Sequence, residues 1–346
     1  MNSFLICDIS GLAIHKVGNK NNEEGLLLSE QPTNIRNEIS ETLISYFISS
    51  FKPDEYYNLY HESDINLNEV YVFAGRIFDD PESLFEQSVK LAKHLYNCSV
   101  HPKIKGGEFY TTYFKECTFE GDIVDAIGLF KSEKKDIFLK VQPDEKAFGI
   151  KTDEGINVSK LDKGCLIFNK VRENGYVVSV VDNTGKGAEA AYWIDTFLKA
   201  IQRNDDFHNT HNVLSLCKDF ITKQLPQEYE ITKADQANLL NKSIKYFRDN
   251  ESFSMAEFAN EVIEEPELIS KFDTFKTDYQ EQSEQVISES FQINGSAVKK
   301  QSRVFKSVLK LDRNFHIYIH GDRDLIHQGI EPDGRKYYKI YFREES

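Results

Sequence analysis

The 346 residues, 40% of them hydrophobic, are enough for about two domains with a sizeable core. The 42 basic and 56 acidic residues give a net charge of −14, which excludes a protein that coats DNA with its whole surface. We expect no membrane span and no secretory signal, and the five scattered cysteines favour reduced, buried thiols in a cytoplasmic protein.

The first half of the chain predicts strands mixed with a few helices. Two short β-like runs, 11–17 and 25–29, flank a polar turn and form a predicted hairpin. A helix follows at 35–48, with Thr33 or Asn34 as its cap, and another begins at Asp80–Pro81. Between 108 and 181 the pattern becomes β-rich with short polar turns, which indicates an antiparallel meander. The predicted strands are Phe109–Phe114, Ile123–Phe130, Ile137–Val141, Ala147–Lys151, Gly164–Asn169 and Tyr176–Val181.

Helical periodicity takes over after Gly187 and gives way to β patterns near Arg303. The predicted helices are Ala188–Ile201, Thr210–Leu225 ended by Pro226, Lys233–Asn250, Ser254–Glu264 and Glu267–Glu281. The predicted strands are Arg303–Leu311, Phe315–His320 and Tyr337–Phe342, the last one packing on the hairpin formed by the first two.

These patterns predict an α+β fold in two domains. Residues 1–185 form an N-terminal antiparallel-sheet domain with helices, and residues 186–346 form a mostly helical domain that ends in a small β-hairpin or sheet. The boundary is predicted near Gly185–Gly187, where the period changes.

Charge is distributed unevenly along the chain. Residues 296–346 hold eleven basic and seven acidic residues, a net of +4, which leaves −18 for residues 1–295. The run Ser296–Leu311 contains five bases and no acid, and its cationic stripe could meet phosphates or an acidic protein surface. A positive face that only neutralises the acidic remainder of the protein is an equally good interpretation. The candidate DNA- or partner-binding residues are Lys299, Lys300, Arg303, Lys306, Lys310 and Arg313.

The other candidate functional residues, a glycine-rich loop and several histidines and cysteines, favour structural interpretations. The segment Asn183–Gly187 lacks the frame of a phosphate-binding P-loop and is typical of a linker. His94 with Cys98, and His208 with His211, are too few for a zinc site. His316 and His320 are typical of a solvated strand face. We therefore name no catalytic or metal-binding residue and no cofactor.

The order of several segments along the chain resembles the bacterial 37-kilodalton nucleoid-associated protein family, of the NdpA or YejK type. The segments that carry the resemblance are Gly11–Lys16, Ala190–Trp193, Phe197–Leu198, Cys217–Phe220, Phe315–Gly321 and Tyr337–Phe342. None is a chemical signature, so the resemblance rests on their colinearity. It implies association with the nucleoid in the cytoplasm and no known catalytic activity.

Two routes to the nucleoid follow. Either the basic C-terminal segment contacts DNA weakly and without sequence preference, with a log–log salt slope of roughly −4, or the acidic body docks on a basic DNA-handling protein such as a topoisomerase. Self-association into a homo-oligomer is compatible with both. The alternative is a metal-dependent enzyme that acts on nucleic acid or nucleotides.

Overall fold

The computed structural model of the chain describes residues 4–5, 8–51, 55–144, 147–184, 191–283, 286–302, 305, 307–311, 314–319, 325–342 and 344. The chain divides into two compact units, Met1–Arg203 and Asn204–Ser346. The boundary predicted between residues 185 and 186 falls in 185–190, which lie outside the described residues. The helix that follows belongs to the first unit, because Trp193 and Phe197 are part of its core.

The first unit is built on a nine-stranded antiparallel sheet, as the alternating patterns predict. The strand order is β11-β4-β10-β9-β6-β5-β2-β3, and β1 also pairs with β5. A separate hairpin, β7 with β8, lies outside this sheet. The strands are β1 Phe4–Leu5, β2 Ile9–Val17, β3 Leu26–Leu27, β4 Tyr57–Leu59, β5 Gly107–Phe119, β6 Asp122–Ser132, β7 Asp136–Asp144, β8 Ala147–Gly155, β9 Lys163–Phe168, β10 Val177–Asp182 and β11 Ala200–Gln202.

Helices cover both faces of this sheet. Successive residues of β5 point to opposite sides, so Phe109 joins one core cluster and Tyr110 the other. On the second side, Phe47 stacks on Phe130 with ring centroids 4.2 Å apart. The helices are α1 Asn37–Ile48, α2 Glu69–Asp79, α3 Leu84–Cys98 and the π-helical α4 Tyr192–Leu198.

Local chemistry explains where these elements begin and end. Asp80 accepts a hydrogen bond from Glu82 N and precedes Pro81, so the predicted helix start there is confirmed. The predicted cap of α1 is wrong, since that helix follows Arg36 and has no side-chain cap bond. The predicted helix 188–201 is shorter, because Lys199 adopts φ +48° and the chain then pairs with β4 as β11.

The second unit is mainly helical. Its aromatic core includes Phe247, Phe253 and Phe258, and the Phe247 and Phe253 rings stack at 5.1 Å. Pro226 does not end the second predicted helix, because the chain stays helical to Glu228, with Pro226 in the first turn of its last segment. The helices are α5 Asp206–Asp219, which continues through Phe220–Gln224 and Leu225–Glu228, α6 Lys233–Asp249, α7 Met255–Phe258 with Ala259–Ile263, α8 Pro266–Ser283 and α9 Gly295–Ser302.

Three two-stranded sheets complete the second unit. The β return at the C-terminus is confirmed, but its topology differs from the prediction, since the last strand pairs with a strand at 326–330 and forms a second hairpin. The strands are β12 Ser252–Ser254 with β13 Ser290–Gln292, β14 Ser307–Leu311 with β15 Phe315–Ile319, and β16 Ile326–Ile330 with β17 Lys336–Ile340. The predicted α+β class is confirmed.

Candidate nucleic-acid interface

Two of the predicted binding residues, Lys299 and Lys300, lie on the exposed side of the short helix α9. The helix is fixed at its start by Asn294, whose Oδ1 accepts hydrogen bonds from Ser296 N at 3.0 Å and Ala297 N at 3.1 Å. Its other side is buried through Ala297 and Val298. Both lysines come directly after these two buried residues, in the last turn of α9, where the helix dipole favours positive charge.

Further contacts fix the orientation of α9 on the helix α5. Gln301 Nε2 donates a hydrogen bond to Ser215 Oγ at 3.1 Å. The Lys300 ammonium lies 5.5 Å from the ring centroid of Phe207. Attraction between a cation and the face of an aromatic ring holds the Lys300 side chain against α5.

The structure adds Arg248, at the end of α6, to this surface. Its Nη2 donates a hydrogen bond to Ser302 Oγ at 3.1 Å, and it lines a surface groove of about 660 Å³ together with Lys299 and Glu251. Neither Arg248 nor Lys299 forms an ion pair with a carboxylate in the part of the chain that the structure describes. We call Arg248, Lys299 and Lys300 the basic patch. Arg248 was missed in the sequence because it precedes the basic run by some fifty positions and shows no local signal.

The structure does not describe the side chains of the other predicted binding residues. Arg303, Lys306 and Arg313 lie outside the described residues. Lys310 lies on β14 opposite His316, and its side chain is not described. The described part of the run Ser296–Leu311 is helical at its start, in α9, and extended at its end, in β14. The cationic stripe that the sequence predicts along this run stays a prediction.

A second cluster of charged residues, which the sequence did not reveal, lies inside the first unit. Lys131 and Lys163 face each other across β6 and β9, and 0% and 1% of them are exposed. Each is held by a carboxylate, Lys131 by Glu133 at 3.0 Å and Lys163 by Asp182 at 2.6 Å. Two like charges placed directly opposite are unfavourable in a sheet, so these carboxylates offset the repulsion.

Tyr192 of α4 completes this cluster. Both ammonium groups lie over its ring, at 5.5 and 5.1 Å from the centroid, and its hydroxyl donates to Glu133 Oε1 at 3.1 Å. Burial raises the pKa of Tyr192 and lowers the pKa of Lys131, although Glu133 opposes the latter effect. With both lysines buried, the cluster anchors α4 to the sheet.

His94 and Cys98 also serve the packing of α4. His94 Nε2 bonds to the Phe197 carbonyl at 3.0 Å, and Cys98 Sγ lies 3.9 Å from the imidazole nitrogens. Burial lowers the pKa of His94 and raises the pKa of Cys98 to about 11. A neutral imidazole beside a protonated thiol is a structural contact. Within the described ranges, no group of three or more His, Cys, Asp or Glu residues could hold a metal ion.

The remaining motifs are positioned as follows. In the Asn183–Gly187 segment, the N and Oγ1 of Thr184 donate hydrogen bonds to Asp182 Oδ1. Gly185–Gly187 lies outside the described residues. His316 is exposed on β15, while His320 also lies outside the description. Among the helices of the described residues, none is both long and apolar enough to cross a membrane.

A protein-family model described as nucleoid-associated protein YejK matches residues 13–336, which include most of the sheet of the first unit and the helix α9. No curated protein matches the chain. The match extends over most of the sequence and agrees with the family that the colinear segments resemble. The chain belongs to this family of bacterial nucleoid-associated proteins.

Proposed function

We propose that this protein associates with the bacterial nucleoid in the cytoplasm through weak contacts between its basic patch and DNA phosphates. The observation that carries the proposal is the exposure of Lys299 and Lys300 on a helix whose opposite side is anchored in the core. Arg248 adds a further cation, which lines the same groove as Lys299. Basic side chains that lie close together on a surface fit phosphate binding, whose free energy comes largely from counterion release.

The chemistry of the patch favours binding that does not depend on DNA sequence. Sequence is read by side chains that reach base edges in a groove, whereas lysines on a short helix contact the sugar–phosphate backbone. The remaining charge of the protein opposes a polyanion, with 31 acidic and 23 basic residues in 1–203. We therefore expect modest affinity that falls steeply with salt.

Docking on a basic DNA-handling protein, such as a topoisomerase, is the second route. Residues 1–203 have a net charge of −8, which favours docking on a basic partner. Several of their basic side chains already form ion pairs, such as Arg172 with Asp79 and Lys170 with Asp122. These pairs leave the surplus acids to face a partner. No observation in the described residues favours the third reading, a metal-dependent enzyme.

Salt dependence of duplex DNA binding distinguishes these routes. We expect the three patch contacts to contribute about −2.7 to the log–log salt slope, from about −0.9 for each neutralised phosphate. The triple variant Arg248→Ala/Lys299→Ala/Lys300→Ala should lose most of that contribution. The matched control Lys115→Ala/Lys134→Ala/Lys160→Ala removes the same charge from exposed positions of the first unit and should keep the slope.

Equal losses in both triple variants would contradict the patch, because net charge alone would then account for binding. If neither triple variant changes nucleoid localisation in cells, while charge reversals among the exposed acids of residues 1–203 disperse the protein, the docking route holds instead. Tight or sequence-specific binding by the purified protein would contradict both routes.

A further inference from the structure

The hairpin formed by β7 and β8 has one face made of large apolar side chains that no described part of the chain covers. The register places Ile137, Leu139, Val141 and Pro143 opposite Glu154, Thr152, Ile150 and Phe148, so all eight residues share one face. The exposed fractions are 71% for Ile137, 64% for Leu139, 58% for Val141, 67% for Ile150 and 73% for Phe148. We call these five side chains the apolar arm face.

The opposite face of the same hairpin is mostly polar, with Phe138 as its one large apolar side chain among the described residues. Lys140 forms an ion pair with Asp153 at 3.0 Å, and its ammonium lies 5.8 Å from the ring centroid of Phe138. Gln142 and Lys151 also lie on this side, as the register requires. The hairpin thus has one face suited to water and one face suited to a partner.

A two-stranded hairpin on its own is marginally stable in water and becomes stable when its apolar face packs on another layer. A contiguous patch of five large apolar side chains exceeds what single surface residues provide, and such patches mark interaction sites. The sheet of the same unit does not include β7 or β8, so the hairpin gains no support from it through strand pairing.

We propose that the apolar arm face packs against the apolar arm face of a second copy of this chain. Two identical uncharged faces related by a two-fold axis are complementary by symmetry. Face-to-face packing at a spacing of about 10 Å would turn two lone hairpins into one four-stranded sandwich.

The exposed area is adequate for such a dimer. Five large side chains, each more than half exposed, present on the order of 600 Å² per copy, since a fully exposed Leu or Phe offers roughly 150 to 250 Å². Standard interfaces bury about 800 Å² per partner. The rim residues Pro143 and Thr152 would supply part of the difference. The dimer is therefore expected to be reversible on dilution.

Charge argues for a second copy over a nucleic acid or an anionic membrane. Residues 136–155 contain five acids and three bases, so the hairpin as a whole repels phosphate. Of the eight residues on this side of the hairpin, only Glu154 is charged, and it lies at one end, opposite Ile137. Packing two such faces buries no charge at the centre, which avoids the main cost of self-association.

Sedimentation of the full-length chain over a dilution series tests this inference. We expect a monomer–dimer equilibrium for the unaltered protein. Leu139→Lys places an ammonium group in the centre of the interface in both copies and should weaken dimerisation at least about tenfold. The matched control Gln142→Lys adds the same charge to the opposite face of the same strand and should keep the dimer.

Leu139→Asn serves as a second variant without a charge, and near-ultraviolet circular dichroism verifies that the variants fold. It should also weaken the dimer, because a buried amide would lack partners. A protein that is monomeric at every concentration would overturn the inference, even if the apolar arm face bound a different protein. Equal dimerisation of Leu139→Lys and Gln142→Lys would overturn it as well, since the apolar arm face would then not be the contact.

Discussion

The two units use lysine in opposite ways. In the first unit, Lys131 and Lys163 are buried in the sheet and form ion pairs with Glu133 and Asp182, so their charges serve only to stabilise the fold. In the second unit, Lys299 projects from α9 and forms no ion pair with a carboxylate of the described residues. Net charge alone therefore says little about where this protein can meet an anion. What matters is which cations remain accessible after folding.

The largest effect is expected from breaking a buried pair. Lys163→Met leaves the Asp182 carboxylate without its ammonium partner in a site where only 7% of that side chain is exposed. Removing one partner of a buried ion pair costs about 3 to 5 kcal/mol, because the other charge stays desolvated. Urea unfolding of the first unit, followed by circular dichroism, measures the loss.

The exposed pair Lys140–Asp153 provides the control for this comparison. Both side chains are about half exposed, so Lys140→Met should change the free energy of unfolding by no more than about 1 kcal/mol. The double variant Lys163→Met/Asp182→Leu should regain most of the lost stability, since an apolar pair needs no compensation. Similar losses for Lys163→Met and Lys140→Met would show that burial does not separate the two classes of lysine.

Lowering the pH should reduce the stability of the first unit by a smaller amount. Burial, the main cause, lowers the pKa of His94 in the folded protein below the ordinary value of 6.5, and the Phe197 carbonyl and Glu69 only partly oppose it. Its contribution to stability is therefore fully present above pH 6.5 and is lost as the pH falls through the folded-state pKa. Each unit of pKa difference corresponds to about 1.4 kcal/mol.

Unfolding of the first unit measured between pH 7.5 and pH 5 should show this loss. His94→Gln keeps a polar side chain near the Phe197 carbonyl and should flatten the pH dependence. His316→Gln, at an exposed position of β15, is the control and should leave the dependence as it was. An unchanged slope in His94→Gln would contradict the assignment to His94.

The smallest effect is expected in the basic patch. Lys299→Ala/Lys300→Ala removes exposed charges, a favourable dipole contact and the cation–π contact with Phe207, which together amount to about 1 kcal/mol or less. Thermal unfolding should therefore remain close to that of the parent. A loss as large as that of Lys163→Met would mean that the patch is structural and would remove the basis for DNA contact.

Local sequence patterns predicted much of the fold. The β-rich runs in 107–132 and 163–182, separated by short polar turns, indicate the antiparallel strands. Their residues are buried on both faces of the sheet, so they read as nearly continuous apolar runs. The capping box of Thr232 and Asp235 confirms the start of α6. Colinear segments identified the family, and the basic run located Lys299 and Lys300.

The sequence by itself determined the α+β class, most helices and strands, the family and the cationic C-terminal run. These depend on periodicity, capping and composition, which act between near neighbours in the chain. Only the tertiary structure decided that Lys131 and Lys163 are buried, that the apolar face of the β7–β8 hairpin is exposed, and that Arg248 joins Lys299. A strand with an alternating pattern looks the same in sequence whether another layer covers it or water does. Which faces are covered depends on contacts between distant segments, and local patterns do not encode those contacts.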